Sequence, residues 1–128
     1  DAGKSINPAI DIGEVEGGFV QGMGWLTTGQ LVWNDKGALT THAPSTYKIP
    51  ATGDIPEHFK VQLYQEPNRE DNVGGSKAVG EPLFMLAISV YEALRHAIAS
   101  AHDKQGKHGV VQLQAPATAE HILAALQR

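Results

Sequence analysis

Two short stretches carry carboxylates in settings suited to chemistry. The first, KAVGEPLF over residues 77–84, places Glu81 between Gly80 and Pro82, directly before a long apolar run. A residue that precedes proline is pushed toward the extended region, and proline itself suits the first position of a helix. Glu81 is therefore expected in an extended conformation at the mouth of a helix that begins at Pro82. Gly80 lets the backbone approach a neighbour closely. Such a carboxylate is either a capping device or a working one, although glutamate is not among the favoured N-cap residues. A buried apolar helix behind it would make the site dry. Burial disfavours the charged form, whereas a helix N-terminus favours it. A carboxylate balanced between the two can stay ionised at neutral pH and act as a general base.

The second stretch is GEVEGGFVQGMG, residues 13–24, with Glu14 near its start. Around it Ile12, Val15, Phe19, Met23 and Leu26 recur at helical spacing and predict one apolar stripe. The same helix holds Gly13, Gly17, Gly18, Gly22 and Gly24. At about 0.8–1.0 kcal/mol each relative to alanine, they cost on the order of 4–5 kcal/mol of helix propensity. Close approach of another helix, or of a bulky ligand, is the usual reason for so bare a surface. A tightly packed helix with a small-residue face is the plain structural alternative.

Other chemistries find less support. Six histidines, at positions 42, 58, 96, 102, 108 and 121, show no HxxxH or HExxH spacing, and no metal-ligating residue is assigned. No phosphate-cradling glycine loop follows a strand, and neither Ser45 nor Ser76 lies in a GxSxG context. The chain has no cysteine, which excludes disulfides, cysteine-ligated zinc and iron–sulfur clusters within it. A net charge of -4 argues against nucleic acid as a partner. No uninterrupted apolar stretch reaches the roughly 18–20 residues of a membrane span, and no signal peptide opens the chain.

The positioning elements follow from pattern. With 128 residues, 41% hydrophobic and 19% charged, the chain suits one modest globular domain. The opening DAG reads as the end of a strand, so residues 1–128 are expected to be a fragment of a longer polypeptide. Asn7-Pro8 marks the start of the glycine-rich helix. Residues 30–42 predict a β-hairpin around Asp35-Lys36-Gly37, residues 43–56 an ordered loop, and residues 59–65 a half-buried strand. A helix from Pro82 to about Ala101 is expected to be buried at its start. GVVQL predicts a brief strand, and Thr118 caps a final helix. The sum is an α+β fold: a glycine-rich helix, a β-hairpin, further strands, a buried helix and a C-terminal helix.

Taken together, DAGKSINPAIDIGEVEGGFVQGMGWLTT, THAPSTYKIP with DIPEHF, and SKAVGEPLFMLAISVYEAL resemble the C-terminal part of the molybdenum-binding subunit of the xanthine dehydrogenase family. The match runs over roughly residues 1–100 with the motifs in order, and LQAPATAEHILAAL also looks like the way these subunits end.

The resemblance implies a molybdenum hydroxylase of the cytoplasm that oxidises xanthine or hypoxanthine to urate. Its cofactor is molybdopterin with molybdenum, and FAD and iron–sulfur clusters lie on other subunits or domains. The glutamate of the VGEP motif takes a proton from a metal-bound hydroxyl whose oxygen attacks the purine, and that position is Glu81. Val79 and Gly80, beside it, are candidate backbone contacts to the cofactor. The family's GQVEGG segment presents a glutamine to the cofactor, and here that position is Glu14. The exchange matters, because an amide both donates and accepts whereas a carboxylate only accepts. Leu83 stands where the family has a second proline. The partners implied are the rest of the molybdenum-binding subunit, an iron–sulfur and FAD subunit, and the purine, with no nucleic acid and no membrane. The purine-positioning residues of the family are not in this chain, so alone it should not turn over. Alternatives are another hydroxylase such as an aldehyde oxidase, or a non-catalytic subunit-interaction module.

Overall fold

The computed structural model describes residues 3–66, 68–77 and 80–128. Among them are four α-helices: α1 (Pro8–Thr27), α2 (Pro82–Met85), α3 (Ile88–Lys104) and α4 (Ala119–Gln127). Two short 3-10 turns, Thr52–Asp54 and Val73–Gly75, interrupt the long connection between α1 and α2.

Helix α1 begins where the Asn7-Pro8 pair places it. Pro8 occupies the first turn, and the Asn7 carbonyl accepts hydrogen bonds from the Ile10 and Asp11 N–H groups, each at 3.1 Å. The Asn7 side chain does not cap the helix. Thr118 does cap α4, its hydroxyl accepting from the His121 N–H at 3.3 Å.

The expected α+β fold is not formed. Among the described residues the only β-pairing is one antiparallel bridge between Trp33 and Leu39, and no sheet is present. The Asp35-Lys36-Gly37 turn itself exists. Asn34 Oδ1 accepts the Lys36 and Ala38 N–H groups, and Gly37 takes a φ of +77°. The arms stay linked by hydrogen bonds from the Asn34 N–H to the Ala38 carbonyl and from the Thr40 N–H to the Val32 carbonyl, at 3.0 and 2.8 Å, yet only one bridge forms and no strand is built. Residues 59–65 alternate as a strand does, with Phe59, Val61 and Leu63 half-buried and Lys60, Gln62 and Tyr64 exposed. They find no strand to pair with. A strand needs a neighbour to take its backbone hydrogen bonds, and side-chain alternation reports only that one face is covered. Here the cover is α1, where the Phe19 and Phe59 rings lie 5.2 Å apart. Residues 109–113, the expected GVVQL strand, are likewise unpaired.

The expected single helix from Pro82 to Ala101 is broken in two. Leu86 and Ala87 form a tight turn, with i to i+3 hydrogen bonds from Ala87 N to Phe84 O and from Val90 N to Ala87 O. Helix α3 then runs on to Lys104. By length and composition alone, Pro82–Lys104 would satisfy the test for a membrane span. The run is broken at Leu86–Ala87 and carries the Glu92–Arg95 ion pair at 2.9 Å. Nor is its start buried: Met85 is 57% exposed, Leu86 53% and Ile88 46%. An apolar run reports that something covers it, and these residues of the chain do not supply all of that cover.

Two packed regions remain. In one, Ile98 of α3, Val111 of the extended arm and Ala125 of α4 are buried together, flanked by Leu113, Ile122 and Leu126. In the other, α2 and the start of α3 rest on α1, with Ala87 fully buried between them. The Ala117 N–H donates to the Leu26 carbonyl at 2.7 Å, tying the C-terminal arm to the end of α1.

Candidate functional site

Glu81 sits at the entry to α2, but not as expected. Its backbone is helical, with φ -53° and ψ -27°, rather than extended. The Gly80 and Glu81 carbonyls accept hydrogen bonds from Leu83 N and Phe84 N, at 3.2 and 3.0 Å. These two bonds draw Glu81 into the first turn against the usual preference before proline. Gly80 supplies the preceding bend with a φ of +138°, a region L side chains rarely adopt.

The Glu81 carboxylate makes no capping hydrogen bond to α2. The capping role weighed against a working role is therefore not the one it plays here. The side chain is exposed rather than dry, and Glu14 is exposed too. Neither takes part in an ion pair among the described residues.

The glycines of α1 divide into two sets. A Cβ on Gly18 would lie 2.9 Å from Leu83 Cβ, and one on Gly22 would lie 2.6 Å from the Phe84 carbonyl oxygen. A Cβ on Gly24 would lie 2.5 Å from Pro50. At these three positions the bare surface is occupied by close packing of α2 and the 43–50 loop. At Gly13 and Gly17 an added Cβ would meet nothing within 4 Å, so that end of the helix is open. The propensity cost of α1 is thus accounted for by packing along its second half only.

The same contacts orient the two elements that carry the candidate carboxylates. Gly18 meets Leu83, and Gly22 meets Phe84 and Ala87, so α1 and α2 run in the same sense along their contact. Glu14 is one turn, about 6 Å, ahead of Gly18 on the same stripe. Glu81 is two residues ahead of Leu83. Each therefore precedes the first α1–α2 contact on its own helix. Val79, the remaining candidate, lies outside the described residues.

Sequence reasoning missed the ring pair that holds α2 on α1. Trp25 and Phe84 stack with ring centroids 4.8 Å apart and planes at 30°. The available signal was the position of Trp25, three residues after Gly22 and so on the glycine face. Three histidines take part in local hydrogen bonding: His102 Nε2 is 3.0 Å from the Ala125 carbonyl, His121 Nδ1 2.6 Å from that of Pro116, and His108 Nδ1 3.3 Å from Asp103. Two open depressions mark the surface, one of about 490 Å³ beside His42 and Tyr47 and one of about 540 Å³ between Gly13–Val20 of α1 and Ile55–Phe59. Glu81 lines neither of them.

The chain is similar to known proteins along nearly its whole length. Residues 1–56 match the molybdopterin cofactor-binding domain family. Xanthine dehydrogenase/oxidase of Rattus norvegicus is 48% identical over 124 residues, covering 95% of this chain and 9% of the relative. Xanthine dehydrogenase of Dictyostelium discoideum is 47% identical over 122 residues, with the same coverage of each. The crystal structure of quinoline 2-oxidoreductase from Pseudomonas putida 86 superposes with a TM-score of 0.79 at 29% identity, covering 99% of this chain and 15% of that one. The chain thus spans about a tenth of the length of the curated relatives it matches. On sequence and fold together, it belongs to the xanthine dehydrogenase family of molybdopterin-binding proteins.

Proposed function

We propose that residues 1–128 form the C-terminal part of the molybdopterin-binding portion of a cytoplasmic molybdenum hydroxylase, with Glu81 as its general base. The observation that supports this reading is the exposed placement of Glu81 at the entry to α2. Glu81 is presented at a helix entry without being used as a cap, and Glu14, at the family's cofactor-contacting position, is at the same end of the α1–α2 contact.

The residues described suit one end of the cofactor. Gly17 and Gly80 leave backbone open where a side chain would otherwise stand, and the two carboxylates accept hydrogen bonds but donate none. That set suits a ligand hydroxyl or a ring N–H and repels phosphate. The phosphate end of the cofactor belongs with residues outside this chain.

When bound, the cofactor supplies the redox centre that takes up the two electrons of hydroxylation. This chain supplies the base. An Oε atom of Glu81 accepts the proton of the attacking hydroxyl as its oxygen bonds to an electron-poor carbon, and later releases that proton to solvent. Gly80 lets the backbone come close enough for the carboxylate to reach. The exposure of Glu81 in the described residues implies that the remainder of the enzyme closes over it and excludes water. FAD and iron–sulfur clusters on other domains or subunits carry the electrons away. Xanthine and hypoxanthine are the substrates favoured, because the relatives named as xanthine dehydrogenases share 47–48% of the sequence.

The test is turnover of xanthine by the assembled enzyme with Glu81 and with Glu81→Gln, at matched molybdenum content. Loss of several orders of magnitude with metal retained supports the base; near-equal rates refute it. A second reading, a non-catalytic interaction module, is favoured by Glu14 standing where the family has a glutamine. It requires that the assembled protein bind no molybdenum.

A further inference from the structure

We propose that Gly22 is a positioning residue for Glu81, acting through Phe84; the inference rests on the reading of Glu81 as the base. Gly22 is buried, and a Cβ there would lie 2.6 Å from the Phe84 carbonyl oxygen, 3.0 Å from Ala87 Cβ and 3.1 Å from Phe84 Cα. Two of these three atoms are backbone, so no rotamer change relieves them. Restoring ordinary contact moves the Phe84 carbonyl by about 0.8 Å.

That carbonyl is not free to move alone. It accepts the Ala87 N–H at 3.1 Å, and Ala87 is fully buried. The Phe84 ring is held from the other side by its stack on Trp25, one turn further along α1. The Phe84 N–H in turn donates to the Glu81 carbonyl at 3.0 Å. A shift at Gly22 therefore passes through one residue to the peptide that carries the catalytic carboxylate. The Gly18–Leu83 contact at 2.9 Å fixes the near end of the same turn. The absence of a side chain at Gly22 thus sets how far α2, and Glu81 with it, stands from α1.

A misplacement of about 1 Å at a reacting group can cost about 100-fold in rate. The test uses the assembled, molybdenum-loaded enzyme that carries this chain, with rates expressed per bound molybdenum. Gly22→Ala is expected to lower kcat by about 10- to 100-fold with KM within about threefold. In a Glu81→Gln background it is expected to cost nothing further, since a positioning residue has no effect once the group it positions is gone. Gly53→Ala, at a position where a Cβ would meet nothing within 4 Å, leaves kcat unchanged.

An unchanged kcat for Gly22→Ala overturns the proposal, and so does a full additional loss in the Glu81→Gln background. Wild-type turnover by Glu81→Gln alone overturns the base assignment and this inference with it, and that single variant tells the two failures apart. Should Gly22→Ala fail to load metal, Trp25→Leu removes the hold on the Phe84 ring without adding bulk. It is expected to lower kcat in the Glu81 enzyme and to leave the residual rate of Glu81→Gln unchanged; a wild-type kcat for Trp25→Leu overturns the proposal.

Discussion

The Tyr91 hydroxyl donates a 2.5 Å hydrogen bond to the Leu113 carbonyl, joining α3 to an extended arm that has no strand partner among the described residues. The arm is otherwise held by Val111 in the α3–α4 core and by the Ala117–Leu26 bond. Tyr91→Phe keeps the ring and deletes the bond, leaving a partly buried carbonyl without its donor. The expected cost is about 1–2 kcal/mol, local to the arm. Hydrogen exchange of amides 110–115 and 117 should accelerate roughly five- to thirtyfold while that of α1 stays as it was.

Overpacking should also be detectable where α1 meets the 43–50 loop. A Cβ on Gly24 would lie 2.5 Å from Pro50 Cδ and 2.9 Å from its Cγ, both on a ring that cannot swing away. Gly24→Ala is expected to destabilise by about 1–3 kcal/mol despite alanine's better helix propensity. Adding Pro50→Ala removes the obstructing ring atoms and should recover most of the lost thermal stability. No recovery would locate the strain elsewhere.

The cap on α4 makes a smaller prediction. Thr118→Ala removes the acceptor for the His121 N–H and should cost about 1 kcal/mol. Thr118→Ser keeps the oxygen and should cost little. Thermal unfolding of the two variants side by side checks the difference.

Glu14 offers a test of cofactor retention that does not depend on turnover. On the proposed reading, Glu14, a carboxylate that only accepts, stands where the family presents an amide. Glu14→Gln restores a donor and removes a negative charge from the approach of an anionic cofactor. Molybdenum content after gel filtration is expected to rise, about two- to tenfold at limiting cofactor. An unchanged or lower content would refute the charge argument.

Much of this architecture is legible along the chain because its causes are local. Asn7-Pro8 sets the start of α1, Thr118 caps α4, and Asn34 through Gly37 make a turn, each by bonds within a few residues. The motifs around Glu14 and Glu81 likewise carry the family. What failed was everything that needed a partner. Residues 59–65 and 109–113 have strand alternation, yet pairing depends on a neighbour the pattern cannot name. Pro82–Ala101 has helical composition, yet it breaks at Leu86–Ala87, where Ala87 is buried against the Gly22 region of α1. Glu81 is helical rather than extended because hydrogen bonds to Gly80 and Glu81 outweigh a one-residue preference.

The sequence by itself determined the family and the starts of α1, α2 and α4, since these rest on residue types and short spacings. Only the tertiary structure decided that Glu81 enters α2 exposed and without capping it, that the glycines at 18, 22 and 24 are filled by packing while those at 13 and 17 are open, and that no sheet forms among the described residues. Those outcomes depend on which distant surfaces meet, a matter of shape and close contact that spacing along one chain does not encode.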